Sequence, residues 1–367
     1  MSRDPGLASW LQLTLTPGLG AAALRGLLKQ FGLPEQVLAA KRPQLERHAS
    51  AAAIDALHSE EVAREVQRAL DWLDASGHSV VTLADGAYPR LLLETADPPA
   101  LLYCAGRAEL LNQPALAVVG SRNATAQGER NAESFARAFS EQGLTIVSGL
   151  ALGIDAAAHR GGLAGAGSTV AVLGTGIDRI YPPGNRALAE EISRRGLLVS
   201  EFALGTPALA HNFPRRNRVI SGLAQGCLVV EAALASGSLT TARAAAEQGR
   251  EVFAVPGSIH SPLSKGCHAL IKSGAKLAES AEDVLTELTA FRRTGFASTA
   301  VMRSAEGAAA TEPDSPLLVH MGYEPVDVDA LCARAGLPAE RVSAELLRLE
   351  LAGRVAALPG GLYQRLN

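Results

Sequence analysis

From Pro114 onward the chain alternates short β-rich runs with helix-length segments, and almost every short run stops on glycine or hydroxyl residues. Candidate strands lie at residues 115–119, 144–148, 169–173, 197–201, 228–231 and 252–255, with an extra one near 80–83. Such a rhythm requires a parallel sheet wound with helices on both faces. The turns after these strands read Gly120-Ser121-Arg122, Gly149-Leu150-Ala151, Gly174-Thr175-Gly176, Ser236-Gly237-Ser238 and Pro256-Gly257-Ser258. In an open parallel sheet they all fall at the carboxyl edge, where helix N-termini converge and ligands bind. Small residues there let a ligand approach the backbone, and the exposed N–H groups favour an anion.

Composition narrows the class further. With 47% hydrophobic residues, 36 Gly and 19 Pro, the 367-residue chain is neither wholly disordered nor collagen-like nor a coiled coil. Asp4 and Pro5 stand where a signal peptide needs a basic and then an apolar stretch, and no apolar run is long enough to span a bilayer. A cytoplasmic location without a membrane partner is therefore expected. Cys104, Cys227, Cys267 and Cys332 lie far apart without metal-finger spacing, so reduced, mostly buried thiols are expected rather than disulfides or a metal site.

The net charge of −3 conceals a basic segment. Residues 202–278 carry eight cations against three anions, whereas the rest of the chain is mildly acidic. Residues 202–230 contain no carboxylate, yet three arginines crowd into Pro214-Arg215-Arg216-Asn217-Arg218-Val219. A local basic surface on an acidic protein suits a polyanion held in one place; a solvated basic face would look the same.

Two smaller modules flank the sheet. Residues 7–74 have apolar positions at helical spacing, broken by Pro17-Gly18-Leu19-Gly20 and Gly32-Leu33-Pro34. This all-helical module resembles a SAM or helix-hairpin-helix unit, although a plain helical connection would also produce the Pro-Gly-Leu-Gly turn. After a helix ending near Phe291, residues 292–315 are rich in Ala, Ser, Thr and Gly and read as a linker. Residues 328–335 and 339–352 have helix-turn-helix spacing, and 354–365 would form a small wing. The expected partition is 1–79 helical module, 80–290 extended Rossmann-like domain, 291–315 linker and 316–367 winged helix. From Thr311 onward there are five cations and eight anions, which suits protein contact better than a strong grip on DNA.

No GxxxxGK[ST] is present, and the dinucleotide fingerprint fails because Arg179 occupies the third glycine position after Gly174-Thr175-Gly176. Asp155 and His159, spaced i, i+4, could be drawn as an acid/base pair, but capping and helix-dipole complementarity explain Asp155 more simply. Glu231 and Asp178 come without a recognisable nucleophile, base and orienting partner. Ser236-Gly237-Ser238-Leu239-Thr240-Thr241 is a hydroxyl-rich helix start, suited to an N-cap and to phosphate. In the run 212–222, arginines can hold phosphates in a forked geometry, Asn217 can reach a base edge, and Phe213 can either stack on an unpaired base or serve the core. With Arg122 and Lys265 this suggests single-stranded nucleic acid across the carboxyl edge.

Val119-Gly120-Ser121-Arg122, Ser148-Gly149-Leu150-Ala151-Leu152-Gly153-Ile154-Asp155, Gly174-Thr175-Gly176-Ile177-Asp178 with Tyr181-Pro182, Phe213-Pro214-Arg215-Arg216-Asn217-Arg218, Ser236-Gly237-Ser238-Leu239-Thr240-Thr241 and Ala254-Val255-Pro256-Gly257 occur in one order. This series resembles the DNA-processing protein A family (DprA, also called Smf). The resemblance covers nearly the whole chain. It implies an extended Rossmann domain that binds single-stranded DNA without known turnover, protects incoming DNA in natural transformation and loads the RecA recombinase past single-strand-binding protein. It further implies that Gly120, Ser121, Arg122, Ser148 and Gly149 line a phosphate pocket completed by Arg216, Asn217 and Arg218; the residue chemistry adds Phe213, Arg215, Ser238 and Lys265 as DNA contacts. Gly266-Cys267-His268-Ala269-Leu270-Ile271 and Gly274-Ala275-Lys276-Leu277 resemble a dimer-forming segment, so His268, Ile271 and Leu277 are implied at a homodimer interface. Many relatives carry a lysine just after the Tyr-Pro pair; this chain has Pro183-Gly184, with Arg186 a little later.

Two other functions fit parts of the pattern. A Rossmann-type enzyme acting on a nucleotide or phosphoribosyl group would use the same edge, but its Gly-Gly-x-Gly-Thr turn with an Arg/Glu pair is replaced here by Ala235-Ser236-Gly237-Ser238. A transcription factor working through the winged helix would need a more basic tail.

Overall fold

The computed structural model describes residues 6–288, 315–323 and 325–366. Six helices come first: α1 (Leu7–Leu15), α2 (Ala21–Phe31), α3 (Pro34–Leu38), α4 (Arg42–Leu45), α5 (Ala51–Ala56) and α6 (Glu60–Trp72). Their helical spacing turns Leu13, Leu24, Leu27 and Val37 onto a shared interior, while Trp10 and Leu11 of α1 and Ala69 of α6 pack on the main sheet.

The main sheet contains β1 (His78–Thr82), β2 (Leu101–Gly106), β3 (Ala115–Val119), β4 (Thr145–Ser148), β5 (Thr169–Val172), β6 (Leu197–Ser200), β7 (Gly226–Val229), β8 (Glu251–Ala254) and β9 (Lys276–Leu277). The order is β1-β2-β6-β5-β4-β3-β7-β8-β9. From β6 to β9 all neighbours are parallel, whereas β2 runs antiparallel to both β1 and β6. The interposed helices are α7 (Arg90–Leu93), α8 (Ala126–Glu141), α9 (Ile154–Ala164), α10 (Arg186–Arg195), α11 (Asn212–Gly222), α12 (Ser238–Glu247), α13 (Lys265–Lys272) and α14 (Ala281–Glu287).

The period-two alternation of each strand explains why helices cover both faces. Leu116 and Val118 of β3 pack with Ala132, Phe139 and Ala157 of α8 and α9, while Ala117 and Val119 face Val219, Ile220 and Ala242 of α11 and α12. Chain order runs outward from β3 through β4, β5 and β6, then returns to β7 on its other side. The order therefore reverses at β3, and the crevice beyond its carboxyl end is where an open α/β sheet takes ligands.

Three strands differ from expectation, among them the two-residue edge strand β9, which the alternation did not mark. The run Leu101–Gly106 follows Pro98-Pro99 without a crossover helix, so nothing local marks it as the antiparallel β2 that extends the sheet past β6. β7 lies two residues earlier than the expected 228–231, because Gly226, a poor strand former by itself, fits against the Phe253 ring where a Cβ would have only 3.2 Å.

The C-terminal unit comprises α15 (Pro316–Met321), β10 (Val326–Asp327), α16 (Val328–Ala335), α17 (Ala339–Leu351), β11 (Val355–Leu358) and β12 (Leu362–Arg365). The three strands form an antiparallel sheet in the order β10-β12-β11, and Arg130 of α8 donates to Gly353 O (3.0 Å). The helix end near Phe291 and residues 292–314 of the expected linker lie outside the described residues.

Candidate nucleic-acid interface

Backbone bonds lock three carboxyl-edge loops together. Ser121 N donates to Glu231 O (2.7 Å) and Ile154 N to Ser121 O (3.1 Å), joining the loops after β3, β4 and β7. Gly153 permits this approach: its φ is +69°, and a Cβ would stand 2.4 Å from Ser121 O. Thr125 caps α8 by accepting from Gly128 N (2.9 Å), and Glu231 in turn accepts from Thr125 N and Oγ1 (2.9 and 2.6 Å). Glu231, one of the lone carboxylates, is thus spent on holding loop to helix.

Above these loops opens a groove of about 800 Å³, bordered by Arg122, Tyr181, Phe213, Asn217, Ser236 and Ser238 and floored partly by Arg216 and Asp155. Arg216 is only 4% exposed. Its Nη1 donates to Gly149 O and Val172 O (2.6 and 2.5 Å), and its Nε has no partner among the described residues. Burial pushes its pKa down to about 10, with Asp155 opposing the shift and Arg122 adding to it; the guanidinium stays charged at neutral pH. Arg122 is exposed at the rim, 5.6 Å over the Phe213 ring. Two guanidinium groups that repel one another across a groove gain from an anion between them.

Asp155 accepts from Gly149 N and Ala151 N (3.1 and 3.4 Å), and burial raises its pKa. His159 is buried; Nε2 accepts from Leu150 N (3.2 Å), and Nδ1 lies 2.7 Å from Thr169 Oγ1. The Thr169 hydroxyl donates to Ile146 O (2.7 Å), so the imidazole must be the neutral Nδ1–H tautomer. Burial depresses its pKa to about 3. Both residues are committed to the 149–151 turn; Asp155 does not cap α9, whose N-cap Gly153 has no side-chain cap bond, because its carboxylate turns back to the N–H groups of the preceding loop, and Asn185 Nδ2 secures the turn further by donating to Leu150 O and Ala151 O.

The structure divides the expected residues. Gly120, Ser121, Arg122, Phe213, Arg216, Asn217 and Ser238 border the groove. Arg215 and Arg218 do not, which corrects the expectation that Arg218 completes the pocket beside Arg216 and Asn217. On α11 residues 213, 216, 217 and 220 share the groove face, while 215 and 218 lie around the helix. There both pair with the buried Glu201 carboxylate (3.0 and 2.5 Å), and Arg218 also binds Asp97, itself paired with Arg25 of α2. Ser148 is buried with Oγ donating to Val118 O (2.7 Å), Gly149 serves as the seat of Arg216, and the Lys265 ammonium folds onto Ile259 O. Asn217 Nδ2 donates to Thr240 Oγ1 (2.8 Å). Arg186, weighed as a substitute for the lysine after Tyr181-Pro182, is exposed on α10 and does not border the groove.

His268 lies on α13 with Nε2 donating to Gly257 O (3.0 Å), Ile271 is half-buried on the same helix, and Leu277 is 45% exposed on the edge strand β9. The four cysteines are free thiols. Among the described residues no helix is long and apolar enough to cross a membrane, and no group of three or more His, Cys, Asp or Glu is placed to hold a metal. The sequence motifs contain Tyr181 and the αL residue Leu150 (φ +58°) but gave neither a role in the site, and Asn185 stands outside them.

Residues 79–289 match the family model described as DNA recombination-mediator protein A, and 303–361 match the DprA winged helix domain. Protein Smf of Escherichia coli (strain K12) is 45% identical over 306 residues, covering 83% of this chain and 82% of that protein. DNA processing protein DprA of Streptococcus pneumoniae is 48% identical over 206 residues, covering 56% and 73%. The X-ray structure of a Streptococcus pneumoniae DprA superposes with a TM-score of 0.66 at 36% identity, covering 78% of this chain and 99% of that one. The structure of DNA processing protein A from Helicobacter pylori, described for its single-stranded DNA binding mode, gives 0.52 at 29% identity, covering 58% and 96%. With the Rossmann-like domain and the winged helix both matched, this chain belongs to the DNA recombination-mediator protein A (DprA/Smf) family.

Proposed function

We propose that the chain binds single-stranded DNA in the groove beyond β3 and acts as a recombination mediator. The observation that carries this reading is the pairing of a buried, charged Arg216 on the floor with an exposed Arg122 on the rim. The two face a space lined by backbone turns and hydroxyls that can accommodate a phosphodiester. Contacts of this kind bear on the backbone and carry little base information, so sequence selectivity is expected to be weak. The single-stranded DNA binding mode named for the Helicobacter pylori relative supports the same ligand class.

In this reading the protein works as a homodimer, with a second copy covering Leu277 at the β9 edge and His268 and Ile271 of α13. It protects incoming DNA during natural transformation and passes it to RecA, displacing single-strand-binding protein without chemical turnover. Asp155 and His159, both tied to the 149–151 turn, fit this non-catalytic role.

The test is binding of labelled oligo-dT and a matched duplex to wild type and Arg122→Ala across a salt titration. Wild type should prefer the single strand, and the variant should bind more weakly with a log-log salt slope shallower by about 0.7, the value for one single-strand phosphate contact. Equal binding and equal slope would place the DNA elsewhere. Sedimentation of Leu277→Arg checks the dimer, which should dissociate.

A further inference from the structure

We propose that Tyr181 is the base-stacking platform of the groove and that Phe213 is its support. The inference rests on the reading of the groove as a single-stranded DNA site and adds a base subsite to its phosphate contacts. Both rings border the groove, with centroids 5.7 Å apart and planes inclined by 48°. Their surroundings differ. Phe213 is half-buried, with Gly174 on one side, where a Cβ would come within 2.8 Å of the ring, and Arg122 above it. Little of that ring is left for a base. Tyr181 is 45% exposed, so it presents an open aromatic surface to the groove, whereas the Phe213 ring beside it is half-buried.

The loop bearing Tyr181 is held at both ends. Thr175 Oγ1 donates to Arg179 O (2.5 Å) and Arg179 N to Gly176 O (2.9 Å) before it, and Asn185 Nδ2 fastens the loop to Leu150 O and Ala151 O after it. A ring fixed in advance loses little conformational freedom when a base lies on it. Because Arg122 and Tyr181 both flank Phe213, a phosphate at Arg122 puts the attached nucleoside beside the tyrosine. Every base has a π-face, so this subsite adds affinity without demanding a sequence.

The experiment uses the full chain, oligo-dT and an oligonucleotide of equal length whose bases are replaced by abasic sites. Tyr181→Ala should bind oligo-dT about tenfold more weakly, with an unchanged salt slope because no charge is lost, and should bind the abasic strand like wild type. Tyr181→Phe and Tyr181→Trp should retain affinity, and the introduced indole should be quenched by oligo-dT. Tyr181→Leu, which keeps an apolar contact with Phe213, should behave as Tyr181→Ala. Equal loss on both oligonucleotides, or full affinity of Tyr181→Leu, would make the ring a packing element and overturn the inference. Wild-type affinity of Tyr181→Ala beside a weakened Arg122→Ala would overturn the base subsite alone. Wild-type behaviour of both would remove the groove reading with it.

Discussion

Replacing Arg216 by methionine should damage folding more than a DNA-contact role would. The side chain is 4% exposed and gives charge-assisted hydrogen bonds to Gly149 O and Val172 O. Such bonds contribute about 1.5–3 kcal/mol each. Methionine fills much of the volume but leaves both carbonyls unsatisfied and the buried Asp155 without its countercharge. Losing both charge-assisted bonds therefore costs about 3–6 kcal/mol. For a domain of this size each kcal/mol lowers Tm by about 2–4 °C, so Arg216→Met should melt about 10 °C or more below wild type. The assay is circular dichroism melting at pH 7.5, with oligo-dT binding measured well below the variant's Tm. Adding Asp155→Asn to Arg216→Met should recover part of the loss, because the stranded carboxylate is then neutral. Arg216→Lys should fall between, since an ammonium lacks the fork that spans two carbonyls. A Tm for Arg216→Met within 2 °C of wild type, or strict additivity with Asp155→Asn, would refute the argument that this guanidinium holds the 149–151 turn.

Three other outcomes follow from the same geometry. Since a Cβ on Gly149 would stand 2.0 Å from Arg216 Nη1, Gly149→Ala should lower Tm in the wild-type background and much less in Arg216→Met. The folded-state pKa of His159 lies near 3, below the unfolded value of about 6.5, so its contribution is complete above pH 6.5 and shrinks as pH falls toward 3, at up to about 1.4 kcal/mol per pH unit; denaturation at pH 7.5, 6.0 and 5.0 should show a flatter profile for His159→Gln, and parallel profiles would contradict it. Burial pushes the Cys104, Cys227 and Cys267 thiols up to about 12, so a thiol reagent at pH 8 should leave all three unmodified in the native protein and label them only after unfolding, as mass spectrometry would show.

Much of the architecture is local and hence legible. Strand periodicity, helix length and the glycine turns after β3, β4 and β5 are written in consecutive residues, because pleat, helical pitch and small-residue turns are backbone properties. They identify the wound parallel sheet and direct attention to its carboxyl edge. Six motifs in one order then point to the family. The antiparallel β2 had no such signature, since it sits in the sheet between β1, the strand before it in the chain, and the remote β6, and only that pairing defines it.

The division of labour among neighbouring side chains was decided by tertiary structure. In sequence, Arg215, Arg216 and Arg218 form one basic cluster; on α11 the helical rotation of about 100° per residue sends Arg216 into the groove floor and the other two to Glu201. Which face meets the groove depends on how α11 docks on the sheet, through contacts such as Arg216 to Gly149, 67 residues away. Tyr181 likewise gains its meaning only where the chain brings it to Phe213, 5.7 Å from a ring 32 positions later. The sequence by itself determined the layers and the edge where a ligand binds, because these follow from short-range periodicity. The folded chain alone decided which charges remain free for an anion and which are spent inside the protein, because burial and pairing are set by residues that only folding brings together.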